Sequence, residues 1–168
     1  MIVAAPTAPS TDRETMTTDP HAGLRLVVGA AIVDDLEHPT RLLAARRTEP
    51  PALAGGWELP GGKVDAGESP RSAVHREVLE ELGVTIRLGP PLPGPLPGAT
   101  WPLGDRYEML VWLAEVVDGV PAPIEDHDEV RWLPAAALHD VPWLPADLPI
   151  VDALTARLGG AFGGSSKP

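Results

Sequence analysis

No cysteine occurs in the 168 residues. That removes a disulfide framework, a thiolate zinc site and a cysteine nucleophile from consideration. It suits a reducing cytosol, and a cytoplasmic location is expected. Positive charge is also scarce. Thirteen Lys and Arg face twenty-four Asp and Glu, for a net charge of −11. Polymeric nucleic acid needs a basic footprint, so this balance argues against it as a partner. A nucleotide ligand remains compatible, because a metal ion can bridge carboxylates to phosphates. No apolar run reaches the length of a membrane span; the longest, near "LVVGAAIV", is strand-sized. The N-terminal segment lacks the basic start and long apolar core of a secretory signal. No Ser-His-Asp or Cys-His pattern for nucleophilic catalysis is legible. The histidines, at positions 21, 38, 75, 127 and 139, are scattered, and only His127 lies in an acidic cluster.

What is present fits one domain with a real core. A Pro/Thr/Ala-rich segment, 1–22, reads as a disordered tail, 23–159 as the single domain, and 160–168 as a flexible Gly/Ser tail. "LRLVVGAAIVDD" (24–35), "RLLAARR" (41–47), "WELPGGK" (57–63), "VTIRL" (84–88), "RYEMLVWLAEVV" (106–117) and "EVRWL" (129–133) carry strand signals. Segment 89–104, with its many Pro and Gly residues, is expected to be an irregular loop. A helix is expected from Ser69 as N-cap, with Pro70 at its first position, through Leu82 to a left-handed stop at Gly83. A short helix is expected from Pro134 to Leu138, and a last one from Pro149, stopping before Gly159 and Gly160. Together these elements predict an α+β fold, an αβα sandwich with a mixed sheet between helices.

The helix 70–82 poses the functional question. Glu77, Glu80 and Glu81 share one face at spacings i, i+3 and i+4. Like charges so placed repel by a few tenths of a kcal/mol per pair, roughly. Val74, Val78 and Leu82 form the adjoining apolar stripe, so the acids sit at the rim of the buried face. Hard divalent ions such as Mg²⁺ take such oxygen ligands together with substrate phosphates. A solvated acidic face is the alternative for the segment alone.

The surrounding residues point further. Gly62, Glu68, Arg76, Glu77, Val78, Glu80, Glu81, Gly83 and Val84 fit G-x5-E-x7-R-E-U-x-E-E-x-G-U, with U a bulky apolar residue. Seven fixed identities would coincide at one register with a chance below ~10⁻⁷. The segment resembles the signature of the Nudix hydrolases. The resemblance implies the Nudix αβα fold and Mg²⁺ (or Mn²⁺) held by Glu77, Glu80, Glu81 and the Gly61 carbonyl. It also implies an Arg76 that pairs with Glu68 and orients the acids, and a general base drawn from these carboxylates or from a loop acid.

Outside the box the chain is similar to the MutT-like branch, which hydrolyses nucleoside triphosphates to monophosphate and pyrophosphate. Arg47 then corresponds to a phosphate-contacting arginine, Glu58 to an acid near ribose or metal, and Asp126 to an acid near metal or catalytic water. Only one of Arg46 and Arg47 can face a site from a strand. Asp147 stands where this branch reads the base. Alternatively it marks the entrance to the last helix, near its positive end. The expected substrate is 8-oxo-dGTP, or (d)CTP or 5-methyl-dCTP, in a monomer or homodimer. The alternatives are ADP-ribose or dinucleoside polyphosphate hydrolysis, or a non-catalytic nucleotide-binding module.

Overall fold

A computed structural model describes residues 23–160. The tails expected at 1–22 and 160–168 lie outside the described residues, apart from Gly160. The strands are β1 (Arg25–Val33), β2 (Arg41–Arg47), β3 (Trp57–Glu58), β4 (Gly61–Lys63), β5 (Thr85–Leu92), β6 (Trp101–Leu103), β7 (Tyr107–Asp118) and β8 (His127–Pro134). The helices are α1 (Pro70–Leu82) and α2 (Leu148–Gly160), with 3₁₀ turns at Pro97–Ala99 and Ala135–Ala137.

β1 shows why the chain builds layers. Its residues alternate between two cores: Val27, Ala31 and Val33 join one, while Val28, Ala30 and Ile32 join the other. Period-two alternation with both faces apolar requires cover on both faces. Helix α1 supplies Ala73, Val74, Val78 and Leu82 to one side. Helix α2 supplies Ile150, Val151, Leu154 and Leu158 to the other. Each large side chain so buried contributes roughly 1.5–3 kcal/mol. The αβα sandwich expected from the sequence is the observed fold.

The sheet runs β3-β2-β1-β7-β5, with β1 and β7 parallel and the other pairs antiparallel. β2 pairs along its length with β8, and on its other side meets β1 at Val33↔Leu42 before turning to β3 at Ala45 and Arg46. The edge that β2 vacates is taken by β4, with Gly29 opposite Gly61. The short strand expected to end at the Pro-Gly-Gly break of "WELPGGK" is β3, which stops at Glu58, and the break itself carries a second strand, β4, paired with a different neighbour.

Two further expectations are corrected. Segment 89–104 is largely ordered: β5 continues through Pro90 and Pro91 to Leu92, and β6 forms a hairpin with β7. Both strands are bonded only to β7, and an edge position tolerates the missing N–H of proline. Helix α2 also includes Gly159 and Gly160 instead of stopping before them. Helix α1 begins and ends as its sequence predicts. Ser69 accepts from the Ser72 N–H at 3.1 Å, and Gly83 closes the helix at φ 68°.

Candidate functional site

The break between β3 and β4 places two glycines against α1. Gly61 has φ 155°, and a Cβ there would fall 2.0 Å from the Val28 carbonyl oxygen. Its N–H donates to Glu81 Oε2 at 2.9 Å. A Cβ on Gly62 would meet the Glu77 carboxylate at 2.4 Å. Only glycine at both positions lets these carboxylates lie against the strand.

The box acids fall into two environments. Glu81 is buried, and Glu77 is largely covered. Burial, reinforced by the charges of Glu58 and Glu77, pushes Glu81 up to about 8, although His127 and the Gly61 N–H partly offset it. Burial also raises Glu77, with Arg76 opposing. On the outer side, Arg76 gathers the remaining charge. It donates to Glu68 at 3.0 and 2.8 Å, to Glu77 at 2.9 Å, to Glu80 at 3.2 Å and to the Lys63 carbonyl at 3.0 Å. Its hydrogen bonds hold Glu68 below the usual carboxylate range and raise the arginine itself.

A cavity of about 1090 Å³ opens beside this helix edge. Arg47, Glu58, Gly61, Gly62, Glu77, Glu81, Asp126 and Asp147 line it, with Lys63 and Asp65 at the same wall. Apolar lining comes from Val27, Leu53, Leu59, Leu103, Met109 and Leu144. Of the residues expected from the sequence, Glu68, Arg76 and Glu80 are not in its lining, and Glu80 is half exposed.

A second polar network also lines the cavity. Arg47 Nη1 donates to both oxygens of Glu58, at 2.7 and 2.9 Å, and its Nε donates to the Glu49 carbonyl. Glu58 Oε1 also meets His127 Nε2 at 2.9 Å. Burial alone would lower His127, but the Glu58 bond and the charges of Glu81 and Glu58 raise it. Arg46 points elsewhere, to Asp128 and Glu129 at 2.7 and 3.0 Å. Of the two neighbouring arginines it is thus Arg47 that faces the cavity. Asp126, with φ 55°, joins the lining beside His127.

Asp147 fits both positions weighed for it. Its carbonyl accepts the Val151 N–H at the entrance to α2, at 2.9 Å. Its carboxylate does not cap that helix. It accepts the Leu59 N–H at 3.0 Å and lines the cavity. Burial is the chief cause that pushes it up to about 7.

The donor chemistry fits a hard divalent cation: carboxylate oxygens of Glu77 and Glu81, the nearby Glu80, and the Gly61 carbonyl at a glycine break. Among the described residues, no three His, Asp or Glu side chains converge tightly enough to hold a metal as they stand. Arg76 spans Glu77 and Glu80 from the outer side. Sequence reasoning noted His127 only for its acidic surroundings and passed over Lys63 and Asp65. The acidic cluster 125–129 was the one signal for His127, and the "GGK" break the one for Lys63.

Residues 23–154 match the NUDIX domain family. The chain is 39% identical over 137 residues to a putative 8-oxo-dGTP diphosphatase 2 of Mycobacterium tuberculosis, covering 82% of this chain and 92% of that protein. It is 30% identical to the CTP pyrophosphohydrolase of Escherichia coli, covering 77% and 90%. A crystal structure of a MutT NUDIX hydrolase from Burkholderia pseudomallei superposes with a TM-score of 0.58 at 33% identity, covering 77% of this chain and 96% of that one.

Proposed function

The chain belongs to the Nudix family and is a pyrophosphohydrolase of that family; on that premise we propose that it hydrolyses a nucleoside triphosphate to the monophosphate and pyrophosphate, with 8-oxo-dGTP as substrate. The observation that carries this reading is the cavity itself. One wall holds carboxylates and Arg47, suited to a metal-bound polyphosphate, while the rest is apolar and holds one buried carboxyl, Asp147.

Glu77, Glu80, Glu81 and the Gly61 carbonyl would hold Mg²⁺ or Mn²⁺. The bound ion supplies charge neutralisation at phosphate oxygens and lowers the pKa of a water. Arg47 takes a phosphate oxygen, and Glu58 orients Arg47. Arg76, braced by Glu68, sets the direction of the box carboxylates from outside the cavity. Asp126 or a box glutamate accepts the proton of the attacking water. The apolar walls exclude bulk water and strengthen each of these charged contacts.

A second substrate reading, (d)CTP or 5-methyl-dCTP, is favoured by Asp147. One of its oxygens is already committed to the Leu59 N–H. An ionised carboxylate only accepts hydrogen bonds and suits an exocyclic amine; a neutral carboxyl also donates and suits an oxidised purine.

The test is pyrophosphate release with Mg²⁺ from 8-oxo-dGTP, dGTP, dCTP, 5-methyl-dCTP and dATP, with AMP release from ADP-ribose alongside. A lead for 8-oxo-dGTP in kcat/KM supports the first reading, and a lead for a cytidine nucleotide supports the second. A lead for ADP-ribose sinks both. Glu80→Gln is expected to abolish turnover with the fold intact, and unchanged turnover would refute its place among the metal ligands.

A further inference from the structure

We propose that His127 is a positioning residue, whose buried ring fixes Glu58 and through it the Arg47 guanidinium in the cavity wall. This rests on the reading of Arg47 as the phosphate-side contact.

Three strands contribute one residue each to the network. β2 brings Arg47, β3 brings Glu58 and β8 brings His127. Their exposure falls stepwise inward: the Arg47 side chain is 24% exposed, Glu58 12% and His127 0%. A carboxylate held by one arginine at a cavity rim can swing with it. Here Glu58 Oε1 is shared between Arg47 Nη1 at 2.7 Å and His127 Nε2 at 2.9 Å, so an anchor in the interior removes that freedom. The anchor depends on a bulge. Between Arg46 and Arg47 the register jumps from Glu129 to His127, leaving Asp128 as the extra residue. In a regular ladder Asp128, not His127, would oppose Arg47; bulges re-aim side chains in this way. The other ring nitrogen, Nδ1, is buried without a partner in hydrogen-bond geometry. Because an ionised Glu58 only accepts, the 2.9 Å contact has Nε2 carrying the proton and donating to Glu58.

The experiment compares His127→Asn, whose shorter side chain loses reach to Glu58, with His127→Gln, which keeps an N–H donor farther out. Each is made in the wild-type and Arg47→Ala backgrounds and assayed with 8-oxo-dGTP and dCTP. His127→Asn is expected to raise KM about tenfold, the scale of losing an orienting partner, with kcat within about threefold. His127→Gln is expected to restore most of that loss. In Arg47→Ala, His127→Asn is expected to add nothing further, because both changes remove one unit. Additive losses, or no rescue by glutamine, would overturn the proposal. The Arg47 side-chain Nε–H resonance gives an assay free of turnover. It is expected to broaden or shift in His127→Asn and to return in His127→Gln; an unchanged resonance in folded His127→Asn also overturns it. If the wild-type protein turns over neither nucleotide, the substrate reading fails and this resonance still decides the role of His127.

Discussion

Two arginines organise carboxylates around one cavity, by different means. Arg76 sits at the outer edge of α1 and collects Glu68, Glu77 and Glu80, with partners one to eight residues away in sequence. Arg47 lines the cavity and holds a single carboxylate, Glu58, which is anchored from beneath by His127, sixty-nine residues distant. The first clamp is local and partly exposed, so solvent screens it. The second is tertiary: its Arg47–Glu58 pair is about as exposed as the first, but it ends on the buried His127 ring, where a lost contact is harder to absorb. Glu81 has no arginine partner among the described residues and accepts there from the Gly61 N–H. The difference teaches that a carboxylate's task here is set by burial and partner, not by its place in a row of acids.

The largest expected effect comes from the unclamped acid. Glu81→Gln is expected to lower kcat by about 10³ or more, as the loss of a metal-binding carboxylate does. Single-turnover measurement in excess Mg²⁺ checks this, and a loss below about tenfold would remove Glu81 from the chemistry. Next comes the local clamp. Arg76→Ala is expected to cost about 10–100-fold in activity or metal affinity, because it disorients ligands without deleting one. A titration with Mn²⁺ that recovers activity at high metal would bear this out, and an irrecoverable loss would make Arg76 part of the reacting centre. The tertiary clamp should differ in kind. Arg47→Ala is expected to raise KM about tenfold while leaving metal affinity unchanged, so the two arginines separate in one pair of titrations.

The smallest effect is a pH dependence at Asp147. Its folded pKa of about 7 lies above the ordinary 3.8, so the folded state holds an extra proton between those values. Stability from this group is therefore present below about pH 4 and is lost as pH rises toward 7. Asp147→Asn removes that loss. Its Tm relative to wild type, measured without metal, should be higher at pH 8 than at pH 5 by about 3 °C or more. A constant difference across that range would show that Asp147 is ionised throughout.

Much of this was legible in the sequence, and the limits are physical. Helix α1 could be drawn from Ser69 to Gly83 because caps and 3.6-residue spacing are local properties, and the same spacing set Val74, Val78 and Leu82 beside the acids. The order of strands and helices foretold a sheet with a helix on either side. Segment 89–104 was misjudged because proline reads as a breaker until one knows that β5 and β6 are bonded only on the side of β7.

What the sequence by itself determined is the helix, its row of glutamates and the glycines that let two of them approach a strand. Only the tertiary structure decided which of Arg46 and Arg47 faces the cavity, that Asp147 accepts from Leu59 across eighty-eight residues, and that a bulge sets His127 beneath Glu58. Helical spacing is fixed by the backbone of one segment. Contacts between strands depend on register, and a one-residue slip turns every side chain to the other face.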